Sequence, residues 1–177
     1  MREWIPVSTS PRGRLVLAAA KEFGARPFDE VTVAELAAAA KVTTGALYHH
    51  FGSKLGLYTV VREDVERRLL DRMEGAMAAT GPGPDHSAAV TSALLVGLDF
   101  AVRENFLRIL GEPPQDTEPD RLAELLERSA APSSASTPPL LGRLLAAAWR
   151  AALTAVAEGA EPAHARAALA AFRLHTL

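Results

Sequence analysis

The sequence predicts an all-α chain in two parts, a small N-terminal three-helix unit with a helix-turn-helix and a C-terminal helical unit. Three observations predict it. Ala and Leu dominate a 177-residue chain that is 49% apolar but only 6% aromatic, a composition that favours helix over sheet. Apolar residues recur at three- and four-residue spacing in one segment after another, without strand alternation or an internal repeat. Capping residues, prolines and glycines bracket those segments.

Residues 1–9 read as an arm carrying Arg2. Ser10-Pro11 supplies an N-cap with proline at the first helical position, and the helix runs through Leu15, Leu17, Ala18, Ala19 and Phe23 to a stop at Gly24. After Pro27, Thr32 and Glu35 form a capping box ahead of an apolar stripe of Val33, Leu36, Ala37 and Ala40. A turn at Lys41-Val42 leads to Thr43, a second N-cap, and a short helix follows. Ser53 caps a long helix with Leu57, Tyr58, Val61, Val65, Leu69, Met73 and Met77 on one face, and Gly81-Pro82-Gly83-Pro84 breaks it. Asp85 opens the next helix, expected to run unbroken through Leu94, Leu98, Val102, Phe106 and Ile109 to Gly111. Thr117 to Asp120 cap a short helix with Leu122, Leu125 and Leu126, and residues 131–139 form a loop. A broadly apolar helix from Leu140 to Gly159 and a last one opening at Glu161-Pro162 complete the chain. The expected domains are 1–52, a connecting helix 53–80, and 81–177.

Two helices as short as those around Lys41 have little stability alone and must pack on something larger. A helix-turn-helix that lays its second helix in a DNA major groove meets these features. Net charge is −2, so any attraction to nucleic acid is local. Residues 1–72 hold 11 Lys and Arg against 9 Asp and Glu, and the remainder holds 8 against 12. No acid occurs between Glu35 and Glu63, whereas Lys41, Lys54 and Arg62 do, a surface that tolerates polyphosphate. The N-terminus of the second helix, at Thr43, Thr44 and Gly45, suits a phosphate, and Gly45 leaves room for close approach.

This segment resembles the N-terminal signature of the tetracycline-repressor (TetR-type) transcriptional regulators. The resemblance rests on Thr32-Val33, Leu36-Ala37, Ala40 to Thr43 and, most specifically, Gly45-x-Leu47-Tyr48-x-His50-Phe51-x-x-Lys54 with Leu57, and covers roughly residues 10–75. Lys41 departs from it, standing in a turn position with positive φ where the family often has glycine, and Leu55-Gly56 replaces the usual acidic pair. The resemblance implies double-stranded DNA as a partner. The residues assigned to it are Thr32, Val33, Thr43, Thr44, Gly45, Tyr48, His49 and Lys54, with Thr44 at a base edge and Tyr48, His49 and Lys54 at the phosphodiester backbone. It further implies an inverted-repeat operator, a homodimer formed by the last two helices, a small-molecule effector and repression relieved by that effector.

The C-terminal half is less explicit. Met73, Met77, Phe100, Phe106 and Trp149 are adaptable enough to wall an effector pocket and equally able to fill a core. Arg103, four residues after Asp99, is either a polar anchor in such a pocket or half of a solvated ion pair. Leu141, Leu144, Leu145, Ala148, Trp149 and Ala152, with Leu169 and Phe172 of the last helix, are expected at the subunit interface. No metal or other cofactor is expected: neighbouring His49 and His50 project about 100° apart on a helix. Absence of cysteine excludes disulfides. No signal-peptide core or membrane-length apolar run occurs, which fits a cytoplasmic protein without membrane partners. A helical protein-interaction module and a small helical enzyme are the rival classes. The second lacks a nucleophile–base arrangement, a phosphate loop or metal spacing.

Overall fold

The computed structural model describes residues 9–80, 86–114, 119–130 and 140–171. Nine α-helices lie in the described residues, with no strand among them: α1 Pro11–Ala25, α2 Val33–Ala39, α3 Thr44–Phe51, α4 Lys54–Ala79, α5 His86–Arg103, α6 Leu107–Gly111, α7 Arg121–Ala130, α8 Leu141–Ala157 and α9 Pro162–Ala170. A single 3-10 turn, Phe28–Glu30, joins α1 to α2. The chain divides into two compact units, Met1–Val65 and Glu66–Leu177, and the division falls inside α4. The expected arm with Arg2, the glycine–proline breaker, the Asp85 cap, the 131–139 loop and Phe172 lie outside the described residues.

In the first unit the helix starts are local and polar. Ser10 Oγ accepts from Gly13 N–H at 3.0 Å, Thr43 Oγ1 from Ala46 N–H at 3.2 Å, and Ser53 Oγ from Gly56 N–H at 2.9 Å. Each removes one of the unpaired donors at a helix start. Leu15, Ala19, Phe23, Val31, Leu36, Leu47 and Leu57 are fully or almost fully buried. Phe23, Phe28 and Tyr58 complete the core as a three-ring cluster with centroids 5.1–5.7 Å apart. Arg14 Nε donates to the Ala40 carbonyl at 3.0 Å, fastening α1 to the end of α2.

The second unit packs α7 closely on α8. A Cβ at Gly142 would stand 2.1 Å from the Ala123 carbonyl oxygen, so only glycine permits this approach. Arg150 is the one buried charged residue among the described residues. Its guanidinium grips both oxygens of Asp120, at 2.7 and 2.8 Å, across from the start of α7. Burial raises the Asp120 carboxyl, but hydrogen bonds from Arg150 and the Ala123 N–H outweigh it and the pKa is lowered.

Three expectations change here. The helix expected from Asp85 to Gly111 is two helices, because Asn105 takes φ 58° and breaks the chain between α5 and α6; asparagine tolerates that region better than most residues. Of the two readings open for the proposed pocket residues, pocket wall or core, the packing favours core for most. Met73, Phe100, Phe106 and Trp149 are buried, and Trp149 Nε1 donates to the Leu94 carbonyl at 3.0 Å. Met77 sulfur accepts from the Ser129 hydroxyl at 3.1 Å. The packing leaves no spare methyl volume at its centre, since a Cβ on Gly97 would lie 2.5 Å from Met73 Cε and 3.1 Å from Trp149 Cζ2.

The third concerns α8, whose breadth of apolar surface divides into two opposite faces. Leu145, Trp149 and Leu153 turn inward and are buried, as is Leu169 of α9. Leu145, Trp149 and Leu169 are therefore core residues of their own subunit rather than interface residues. Leu144 is 67% exposed. Leu141, Ala148 and Ala152 share its side of the helix and are half-buried.

Candidate nucleic-acid interface

Helix α3 is held by one buried residue, Leu47, and presents the rest of its first two turns outward. Thr43, Thr44, Gly45, Tyr48, His49 and His50 are all exposed, and Tyr48 keeps 53% of its surface. An eight-residue helix with one deep anchor and a polar outer face is shaped for insertion rather than for packing. Gly52 closes it with φ 73°, and its N–H donates to the Tyr48 carbonyl at 2.9 Å.

The polar groups on this face differ in what they have left to offer. Thr43 commits its hydroxyl to the cap. Thr44 has no hydrogen-bond partner among the described residues, which leaves its hydroxyl and methyl for a base edge. At Gly45 the nearest atom to an added Cβ would be Thr43 Oγ1 at 3.7 Å, an ordinary contact. The fold itself therefore does not require glycine there. His49 and His50 are not splayed as far as ideal helix geometry suggests: their rings meet edge-on with centroids 5.1 Å apart. Among the described residues no three His, Cys, Asp or Glu side chains gather as a metal site would require.

The turn before α3 is tight. Val42 N–H donates to the Ala37 carbonyl at 2.9 Å, and Lys41 takes φ 54° between the two helices. Lys41 thus occupies the left-handed region despite its side chain, at some backbone cost, and stands exposed.

Thr32 and Val33 open α2. The Thr32 hydroxyl donates to Glu35 Oε2 at 2.6 Å and accepts from Glu35 N–H at 3.2 Å, and its own N–H donates to Oε2 at 2.8 Å. The expected capping box is therefore present. Arg26 holds the other carboxylate oxygen at 3.0 Å. The Thr32 hydroxyl, then its N–H, then Arg26 lower the Glu35 pKa to about 2. This depressed carboxylate helps the cap above the ordinary carboxylate range and loses that contribution as pH falls through about 2. Val33 is half-buried beside it.

Lys54 lies partly inside. Its Nζ donates to the carbonyls of Phe28 and Val31, both at 2.9 Å, and stands 4.1 Å from the centre of the Phe28 ring. Two of its three ammonium protons are committed within the unit, a role that residue spacing alone did not disclose. Gly56 is explained the same way: a Cβ there would come 2.2 Å from the Phe51 carbonyl. The acidic residue usual at that position would not fit this turn.

Residues 15–61 match the family described as bacterial regulatory proteins, tetR family. The HTH-type transcriptional activator FasR of Mycolicibacterium smegmatis is 30% identical over 115 residues, covering 64% of this chain. The match takes in 51% of that protein, so the chain spans about half the length of its curated relative. Among solved structures, a tetR-family transcriptional regulator from Pectobacterium atrosepticum is 25% identical, with TM-score 0.65 over 90% of this chain and 88% of that one. A TetR-like transcriptional regulator from Rhodococcus sp. RHA1 shares the fold, with 24% identity, TM-score 0.69 and 93% coverage of each chain.

Proposed function

We propose that this tetR-type, DNA-binding transcriptional regulator works as a two-fold dimer on an inverted-repeat operator and represses until a small molecule releases it. It acts by binding rather than by catalysis, in the cytoplasm. The observation that supports the reading is the outward face of α3, where Thr44, Gly45, Tyr48 and His49 are exposed around a single buried Leu47. Thr44 reads a base edge. Tyr48 and His49, with the α3 start at Thr43 and the neighbouring Thr32, Val33 and Lys54, hold the phosphates.

Subunits pair through the outward strip of α8, Leu141, Leu144, Ala148 and Ala152, with the chain around Phe172. An exposed leucine among small residues allows close helix approach and loses its apolar surface to a second copy. Repression needs only that the dimer occupy promoter DNA, whereas activation needs an additional polymerase contact. The similarity to FasR, a transcriptional activator, favours activation as the second reading.

Two measurements test this. Two α3 helices on one face of a duplex require half-sites about one helical turn apart, or a multiple of it. Inserting about five base pairs at the operator centre turns one half-site to the far side and is expected to abolish tight binding. Equal footprints on both sites would end the dimeric reading. Gly45→Ala is expected to stabilise the unit by up to about 1 kcal/mol, from helix propensity alone, yet to weaken duplex binding by crowding the groove. Unchanged duplex affinity would remove Gly45 from the interface.

A further inference from the structure

We infer that the groove between α5 and α9 binds a small zwitterion with an apolar side chain, of the α-amino-acid class. The groove is open to solvent along one side and offers about 210 Å³, small beside the roughly 300–1,000 Å³ that drug-sized ligands occupy. Leu98 and Val102 of α5 face Pro162 and Ala163 of α9 across it, giving an apolar lining. Asp99, Arg103 and Arg166 supply its polar groups.

Those charges are arranged for a ligand that carries both signs. Arg166 Nη1 donates to both Asp99 oxygens, at 2.5 and 2.6 Å, and so fixes the carboxylate without exhausting it. A carboxylate has about four acceptor positions, which leaves room for an ammonium. Arg103 uses Nε on Glu104 at 3.2 Å, and its two terminal nitrogens have no partner among the described residues. They form a fork for an incoming carboxylate. Asp99 and Arg103 stand one helical turn apart, so both ends of a short zwitterion reach their partners at once while its side chain rests on Val102, Pro162 and Ala163. A simple anion meets Asp99 and Glu104, and a simple amine meets Arg103 and Arg166. Only the zwitterion matches both.

Around Gly97 the core is filled, since a Cβ there would lie 2.5 Å from Met73 Cε and 3.1 Å from Trp149 Cζ2. The charged rim is also of little use to folding: Asp99 and Arg166 are half exposed, and such pairs contribute little to stability. This assigns the sensing site for the regulator proposed above. Binding is read on the free protein, so failure here leaves the DNA reading standing.

The test uses the full chain and three probes of one shape, L-leucine, 4-methylpentanoate and 3-methylbutylamine, followed by amide NMR titration. Leucine is expected to saturate with a dissociation constant below about 1 mM, and each single-charge probe to bind at least about tenfold more weakly. Asp99→Asn is expected to abolish the preference for leucine over 4-methylpentanoate. Arg103→Gln is expected to abolish the preference for leucine over 3-methylbutylamine. Neither should shift the melting temperature appreciably. No saturable binding of leucine, equal binding of either single-charge probe, or leucine binding indifferent to both substitutions would overturn the assignment.

Discussion

Lys54→Ala is expected to destabilise the N-terminal unit by about 2–4 kcal/mol, because hydrogen bonds from a charged donor are worth roughly 1.5–3 kcal/mol each. The substitution removes the donor from two carbonyls, those of Phe28 and Val31, and the cation from the Phe28 ring. The Phe28 carbonyl keeps one partner, the Val31 N–H at 3.3 Å, whereas the Val31 carbonyl lies outside the helices. The first unit is only about 65 residues long, and domains of that size have little stability in reserve. Lys54→Met sharpens the result, since it keeps the aliphatic stem and removes only the charge. Both variants are expected to lower the unfolding midpoint in urea and to bind duplex poorly for that reason. A contact made only to phosphate would behave differently. It would leave the midpoint unchanged and reduce the salt dependence of binding by about one phosphate. An unchanged midpoint would therefore show that the internal bonds contribute nothing and return Lys54 wholly to the DNA.

The contrast at Lys54 reflects which parts of the molecule were legible in its residues. Signals that act over three or four positions survived intact. Ser10, Thr32 with Glu35, Thr43 and Ser53 all cap the helices expected of them, because an N-cap is satisfied by a backbone N–H only a turn away. The apolar stripe of α2 and the anchor Leu47 follow from helical period for the same reason. The departure at Lys41 was visible through the family resemblance, whose glycine at that turn position implies the positive φ that Lys41 takes.

Interactions between distant residues left no such trace. Lys54 finds its acceptors 26 and 23 positions away, and Trp149 finds the Leu94 carbonyl 55 away. Asp99 was read with Arg103, its neighbour on the same helix, but pairs with Arg166 of α9. Periodicity failed at α8 for a different reason. A helix apolar around most of its circumference announces two burial faces without saying which is which, so Leu145 and Trp149 were grouped with Leu144. The break at Asn105 had a weak signal, a residue tolerant of the left-handed region inside an otherwise continuous stripe.

Arg150 carries the clearest consequence of such a distant pairing. It is one of two arginines on α8, and a charge in an apolar helix invites an exposed reading, which Arg143 meets; the Arg150 side chain is only 10% exposed. Arg150→Leu is expected to destabilise the second unit by about 1–3 kcal/mol, because the Asp120 carboxylate left behind is only partly buried, 26% exposed, and keeps the Ala123 N–H. The loss comes from Asp120 rather than from the arginine. With the guanidinium gone, burial is opposed only by the backbone N–H groups of Ala123 and Leu122, so the Asp120 carboxyl rises from its lowered native position. The pH dependence follows with a definite sign. In the native protein the lowered carboxyl contributes stability above its unfolded pKa and loses it as pH falls through the folded value. In Arg150→Leu the ionised carboxyl has lost its strongest partner, so its ionisation contributes less and its protonation costs less than in the native protein. The stability gap between the two proteins should therefore narrow as pH falls below about 4, near the ordinary aspartate value. Asp120→Asn in the Arg150→Leu background removes the charge and keeps an oxygen for the Ala123 N–H, which donates to Asp120 Oδ1 at 3.0 Å. The double variant is expected to recover most of the lost stability at neutral pH and to show no acid-dependent gap. Urea midpoints at neutral and acid pH measure each term. A pH-independent loss in Arg150→Leu, undiminished by Asp120→Asn, would assign the effect to packing around the arginine stem and not to the unpaired carboxylate.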